Sequence, residues 1–347
     1  MKGKGAIARR ITARFSLAIT CFLPALPVGA AAAARVRIHP QYKPGEAFYY
    51  QIEMHTVSTG QTTTPILNPE AGTKSTGNLD MLVRLDVLSD GGQSDPQKSR
   101  QSGEAAGIRL RVTYERAHAD SRTDAPELQS PSAARLYDRL AGHSIEFTLE
   151  PDGAISNLQD ADHVLSNFAD AAAALGWTKL LASAGGFPAR GIAIGQSWTS
   201  DQPLTAAPLA GLAWHTNSTY LRNEPCRTAS IGGDPQNAQS AAEQCAVILT
   251  QFKIVRRGSA RAGQTPPDYV RHGLRTSGTL TGSGSSLDSF SLASGLLVSS
   301  TQTGAQRADY DIINAANGET IHRAGQVQTQ MVITRVPKPQ LLSAATR

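Results

Sequence analysis

In the stretch AGIRLRVTYERAH, Ile108, Leu110, Val112 and Tyr114 occupy every second position, with Arg109, Arg111, Thr113 and Glu115 between them. Only an extended chain puts those four apolar residues on one side. The pattern recurs in Met81, Val83, Leu85 and Val87, which face away from Arg84 and Asp86. Phe48, Tyr50, Ile52 and Met54 alternate with Tyr49, Gln51, Glu53 and His55, and Ile145, Phe147 and Leu149 with Glu146, Thr148 and Glu150. One packed face and one wet face is the habit of antiparallel sheets. Further strands are predicted over 212–224, 246–256, 270–282, 286–292, 296–303, 307–313 and 325–336. Polar segments such as 58–77, 90–105 and 257–268 read as loops between them.

Helical spacing is concentrated in DADHVLSNFADAAAALGWTKLLAS. Val164, Leu165, Phe168, Ala172 and Leu175 form a stripe, Gly176 breaks it, and a second turn runs to Leu181. Asp160 can cap the start, where negative charge suits the helix dipole. A shorter helix is predicted from Pro131 to Leu140, with Ser130 as its cap. An apolar helical stripe beside many strands needs a sheet to cover it. The predicted fold is therefore mainly β with minor α, a large curved antiparallel sheet or half-barrel with a helical segment packed on it.

Two signatures recur in the same order. Gly45-Glu-Ala-Phe48 enters the first long strand, and Gly195-Gln-Ser-Trp198 enters another. Pro151-Asp-Gly-Ala-Ile155 turns after an alternating strand, and Ala293-Ser-Gly-Leu-Leu297 does so later. Two duplicated halves would explain both, and so would the frequency of turn glycines before apolar residues in any β protein. The expected organisation is a signal peptide over 1–34, an N-terminal sheet with the helical segment over 35–190, and a C-terminal sheet over 191–340 continuous with it.

The leader carries Lys2, Lys4, Arg9, Arg10 and Arg14, then an apolar run from Phe15 to Val28, then small residues to Ala34. That is the layout of a secretory signal peptide cleaved near Ala34, which implies a periplasmic or secreted protein. The rivals are a retained membrane anchor and lipidation at Cys21. Pro24, Pro27 and the alanine tail oppose the first; Thr20 before Cys21 and apolar residues after it oppose the second. Removing the leader lowers Lys plus Arg from 33 to 28 against 28 Asp plus Glu, so the net charge of +5 falls to zero. No basic cluster interleaved with aromatics survives, so nucleic acid is not an expected partner.

Outside the leader the cysteines are Cys226 and Cys245. Neither has a partner at zinc-site or C-x-x-C spacing, and the expected compartment is oxidising. A disulfide across the base of a 212–224/246–256 hairpin is predicted.

The leader, the G-x-x-aromatic strand entries and the "PDGAI" and "ASGLL" turns resemble uncharacterised secreted bacterial proteins of about this length. That family has no established activity and no assigned catalytic residues, so the resemblance transfers none. In architecture, a curved antiparallel sheet with helices on its concave side is similar to periplasmic lipoprotein carriers. That likeness would imply an apolar or lipid-like ligand.

Catalytic motifs are not apparent. The eight histidines, at 39, 55, 118, 143, 163, 215, 272 and 322, include no H-x-H or H-x-x-x-H pair. Asp160, Asp162 and His163 miss the calcium-loop pattern, and acidic residues suit a helix start in any case. TGSGSSLDS lacks G-x-S-x-G, and its glycines fit close packing of another element. Phosphate-loop and dinucleotide motifs are missing too, so no cofactor is implied. Trp177, Phe187, Trp198 and Trp214 either pack the helix onto the sheet or line an apolar pocket between them. The sequence points to a non-catalytic extracytoplasmic protein holding an apolar or amphipathic ligand. The alternatives are an envelope structural or interaction protein and a hydrolase with a dispersed site.

Overall fold

The computed structural model describes residues 34–63, 72–88, 107–124, 137, 140–150, 155–160, 181, 186–204, 207–227, 243–257 and 265–339. Eleven strands occupy most of them: β1 (Ala47–Thr63), β2 (Thr73–Val87), β3 (Ile108–Thr123), β4 (Ser144–Leu149), β5 (Ile155–Gln159), β6 (Ser197–Pro203), β7 (Leu212–Pro225), β8 (Gln244–Arg256), β9 (Leu274–Ser291), β10 (Leu297–Asn314) and β11 (Thr320–Val336). One short helix, α1 (Pro267–Arg271), precedes β9. The strands form a single open antiparallel sheet in the order β5-β4-β3-β2-β1-β11-β10-β9-β8-β7-β6. Neighbours in the sheet are neighbours in sequence, except that β1 pairs with β11 from Tyr49↔Val336 to Thr63↔His322.

The alternating positions sort onto the two faces as expected. A single row on the inner face crosses eight strands through direct pairs: Ala117, Met81, Ile52, Ile333, Ser300, Asp288, Ile248 and Tyr220. Every member is buried. With Val83, Leu85, Leu110, Val112, Ile145 and Phe147 the apolar members of this row belong to one continuous core. Each such aliphatic or aromatic side chain, fully removed from water, contributes about 1.5–3 kcal/mol relative to exposure. Tyr50, also buried, donates its hydroxyl to the Leu297 carbonyl at 3.2 Å, so its polar end is not stranded.

The outer face of β1–β4 is a lattice of matched polar pairs. Gln51 donates to Asp80 at 2.7 Å, Asn78 to Asp120 at 2.8 Å, and Arg109 and Arg111 close on Glu146 at 2.6 and 2.5 Å. Exposed pairs of this kind add little stability individually, but they fix cross-strand register.

The structure extends several predicted strands. Residues 58–63 and 73–77, expected as loop, belong to β1 and β2. The expected pair 270–282 and 286–292 is one strand, β9, and the pair 296–303 and 307–313 is one strand, β10. Ser, Thr and Gly suggest turns, yet here they pair on both sides within a wide sheet, which holds them extended. Helix α1 takes the end of the predicted 257–268 loop and residues 270–271 of the predicted 270–282 strand, so that strand begins instead at Leu274. Most of the predicted 160–183 helix, residues 131–136 and the segment 90–105 lie outside the described residues. Leu181 is helical and fully buried in the core.

The recurring glycine signature has matching geometry. Gly45 and Gly195 both adopt left-handed backbone, φ +87° and +83°. Gly45 donates to the Val87 carbonyl, and Val87 donates back to Glu46. Gly195 donates to Tyr220, and Tyr220 donates back to Gln196. In each turn a side-chain oxygen, of Glu46 or Gln196, accepts from the backbone amide three residues earlier. β1–β5 and β6–β10 thus run as two meanders in the same direction across the sheet, with β11 between them.

β7 and β8 form the predicted hairpin, and Cys226 and Cys245 are disulfide-bonded with Cα atoms 5.0 Å apart. The N-terminal stretch is tied down by a bridge between Val36 and Ile192 and by Gln41 donating to Ser294.

Candidate functional site

Strands β1, β9, β10 and β11 have 17, 18, 18 and 17 residues, so they reach about 60 Å at ~3.4 Å per residue, well beyond the packed core. Moving along them from the buried row, the inner face changes character. The next row reads Leu79, Met54, Met331, Gln302, Ser286, Thr250, Ser218 and Trp198. The one after it reads Gly77, Thr56, Thr329, Gly304, Gly284, Phe252, Thr216 and Ser200.

Phe252 dominates that second row because two of its neighbours have no side chains. A Cβ on Gly284 would lie 2.4 Å from the Phe252 ring, and one on Gly304 3.6 Å from it. One position further, a Cβ on Gly282 would meet Ile254 at 2.9 Å. The glycines make a floor across β9 and β10 on which side chains of β8 lie flat. Trp214 meets Phe252 edge to face, with ring centroids 5.3 Å apart. Both remain half-buried. Beyond them Ala207, Leu209 and Leu212 pack with Leu204, Ile254 and Leu280 as a second, small core.

Of the four aromatics named from sequence, Phe187 and Trp198 come together, with ring centroids 6.1 Å apart. Phe187 also packs edge to face on Phe290 at 5.0 Å, and the Trp198 indole donates to the Gly186 carbonyl at 2.5 Å. Trp214 stands apart with Phe252, and Trp177 lies outside the described residues. Phe252, Gly282 and Gly284 were missed as a group. Their signal was available: Gly278, Gly282 and Gly284 share even positions, hence one face.

Asp288 and Ser300 are the polar side chains most deeply set in the buried eight-strand row. The Asp288 carboxyl accepts from Ser300 at 2.6 Å and from Ser286 at 2.7 Å. Burial pushes this carboxyl above the usual range, and the two serine hydroxyls oppose the shift.

The outer face of β6–β9 carries a groove of about 600 Å³, lined by the side chains of Thr199, His215, Asn217, Gln251, Lys253, Ser283 and Ser285 and bordered by Phe252 and Gly284 between them. At its rim Asp201 lies 2.7 Å from His215 Nδ1 and 2.8 Å from Arg257. Hydrogen bonds from His215 and Arg257 hold the Asp201 carboxyl below the usual range. His215 Nδ1 is also 3.0 Å from Arg257, so it donates to Asp201 when protonated there or accepts from Arg257 when not. No cluster of three or more potential metal ligands occurs among the described residues. Among them, no helix is long and apolar enough to cross a membrane.

No protein-family model and no curated protein matches the sequence. Among solved structures, the chain is similar to one described as lipid–protein interactions in lipovitellin, at 8% identity and a TM-score of 0.42. That match covers 88% of this chain and 27% of lipovitellin, so the chain spans about a quarter of that protein's length. It is also similar to the outer membrane protein OprG from Pseudomonas aeruginosa, at 8% identity, covering 86% of this chain and 98% of OprG, with a TM-score of 0.18. Similarity at this level carries no functional argument.

Proposed function

We propose that this chain is an exported, non-catalytic protein that holds an apolar or amphipathic ligand against the inner face of its sheet. The observation that carries this reading is the Trp214–Phe252 pair on its glycine floor, half-buried beyond a fully packed core. A ring set against backbone glycines, met edge to face by a second ring and left partly wet, offers apolar surface. The Ser and Thr side chains of the adjoining rows, among them Thr56, Ser218, Thr250 and Thr329, would suit a polar headgroup or its water. The Cys226–Cys245 disulfide supports an oxidising compartment, and the basic-apolar-small leader supports export.

The test is mass spectrometry of lipids co-purifying with the protein from its host, repeated on Phe252→Ser. Retention of a defined lipid by the parent and its loss from a folded Phe252→Ser variant is the expected result. A parent free of lipid that also fails to quench Trp fluorescence on titration with fatty acid or phospholipid would overturn the reading. A second reading, an envelope structural or interaction protein, is favoured by the closed packing of the inner row from Ala117 to Tyr220, which leaves that part of the sheet filled.

A further inference from the structure

The two halves of the outer face differ in one respect. On β1–β4 the polar side chains are matched to one another, as in Gln51–Asp80, His55–Asn78–Asp120 and Arg109–Glu146. On β6–β9 two adjacent rows cross the strands by direct pairing. One is Thr199, Asn217, Gln251 and Ser285; the other is Asp201, His215, Lys253 and Ser283. Asp201 and His215 engage each other and Arg257. Among the described residues, Thr199, Asn217, Gln251, Lys253, Ser283 and Ser285 have no side-chain partner, and these six line the groove.

We propose that this groove binds an acidic polysaccharide laid across the strands of β6–β9. The rungs repeat at the strand spacing of about 4.8 Å, close to the length of one pyranose unit, and four strands span about 14 Å. Each neutral rung can both donate and accept, as Asn, Gln, Ser and Thr do, which suits a polymer bearing hydroxyls on every unit. Charge selects the acidic class: Lys253 and Arg257 outweigh Asp201 by one positive charge, and the Lys253 ammonium is unmatched. A sugar carboxylate beside Lys253 would complete that pair. Its polar side chains project from the face opposite Trp214, and it shares with the lipid reading only Phe252 and Gly284, which also border the groove.

The test is affinity electrophoresis of the protein purified from its host, in gels containing polygalacturonate, alginate, neutral dextran or poly-L-glutamate. Retardation is expected with the two acidic polysaccharides and not with dextran or polyglutamate. Lys253→Gln should weaken it about tenfold, the scale of one lost charge-assisted hydrogen bond. The double variant Asn217→Ala/Gln251→Ala should weaken it as well, with an unchanged thermal melt. Lys338→Gln, which removes one exposed charge elsewhere, should leave it intact. Failure of both acidic polysaccharides to retard the protein would overturn the proposal. So would equal retardation by dextran or polyglutamate, or equal effects of Lys253→Gln and Lys338→Gln.

Discussion

The ring of Phe252 occupies the space that a side chain on Gly284 would need: a Cβ there would sit 2.4 Å from the ring and 2.2 Å from the Thr303 carbonyl oxygen. An aromatic residue on β8 and an absent side chain on β9 therefore form one unit.

Gly284→Ala should destabilise the protein by about 1–3 kcal/mol through overpacking. Phe252→Ala in the same chain should recover part of that loss, because the contact with Thr303 persists. Urea denaturation of the two single variants and the double variant checks the coupling. Strictly additive losses would show that ring and glycine are independent.

Replacing Cys226 and Cys245 with alanine should cost about 2–4 kcal/mol, because the crosslink closes a loop whose ends are already adjacent in the hairpin. Lipid retention should be unchanged. Denaturant midpoints of the oxidised parent and the double variant give the cost.

Asp288 gives a pH dependence of defined sign. Burial raises its carboxyl in the folded state, so the folded chain binds a proton more tightly than the unfolded chain. Its contribution is present below the ordinary Asp range, about pH 3.9, and is lost as pH rises through the raised folded value. Asp288→Asn, which keeps polar contacts to Ser286 and Ser300, lacks this slope. The variant should therefore gain on the parent as pH rises from 4 toward 8. Parallel stability curves for the two proteins would refute a buried, proton-binding carboxyl.

Gly45→Ala and Gly195→Ala should each cost about 1–2 kcal/mol, since both residues are left-handed and neither faces a steric obstacle. Similar shifts in thermal midpoint at both sites would show that the two turns are energetically equivalent as well as alike in hydrogen bonding.

The sequence made the strands legible where apolar and charged residues alternate, as at Ile108–Glu115, because each face there has one possible environment. It misled at 283–285 and 304–306, expected as breaks within what are single strands, and at 58–63 and 73–77, expected as loop. Ser, Gly and Thr in those stretches carry little hydrophobic contrast, and pairing with strands on both sides decides their conformation. The disulfide was legible because compartment and spacing left few alternatives. The Trp214–Phe252 site was half legible: Trp214 stood out as a rare residue, while Phe252 matters because of glycines some thirty and fifty positions away, a relation that only sheet register supplies. The outer groove was not legible at all, since it depends on which polar side chains find partners.

The pairing of β1 with β11 has a consequence for the order of assembly. Tyr49 cannot meet Val336 until β2 to β11 have all been made. Until then β1 has one neighbour, and the two meanders on either side lack their common seam. Contacts this distant in sequence form late, because the intervening loop must close before they give any stabilisation. The sheet is therefore closed across its middle only when β11 arrives, and the two meanders must each hold their own register until that last strand joins them.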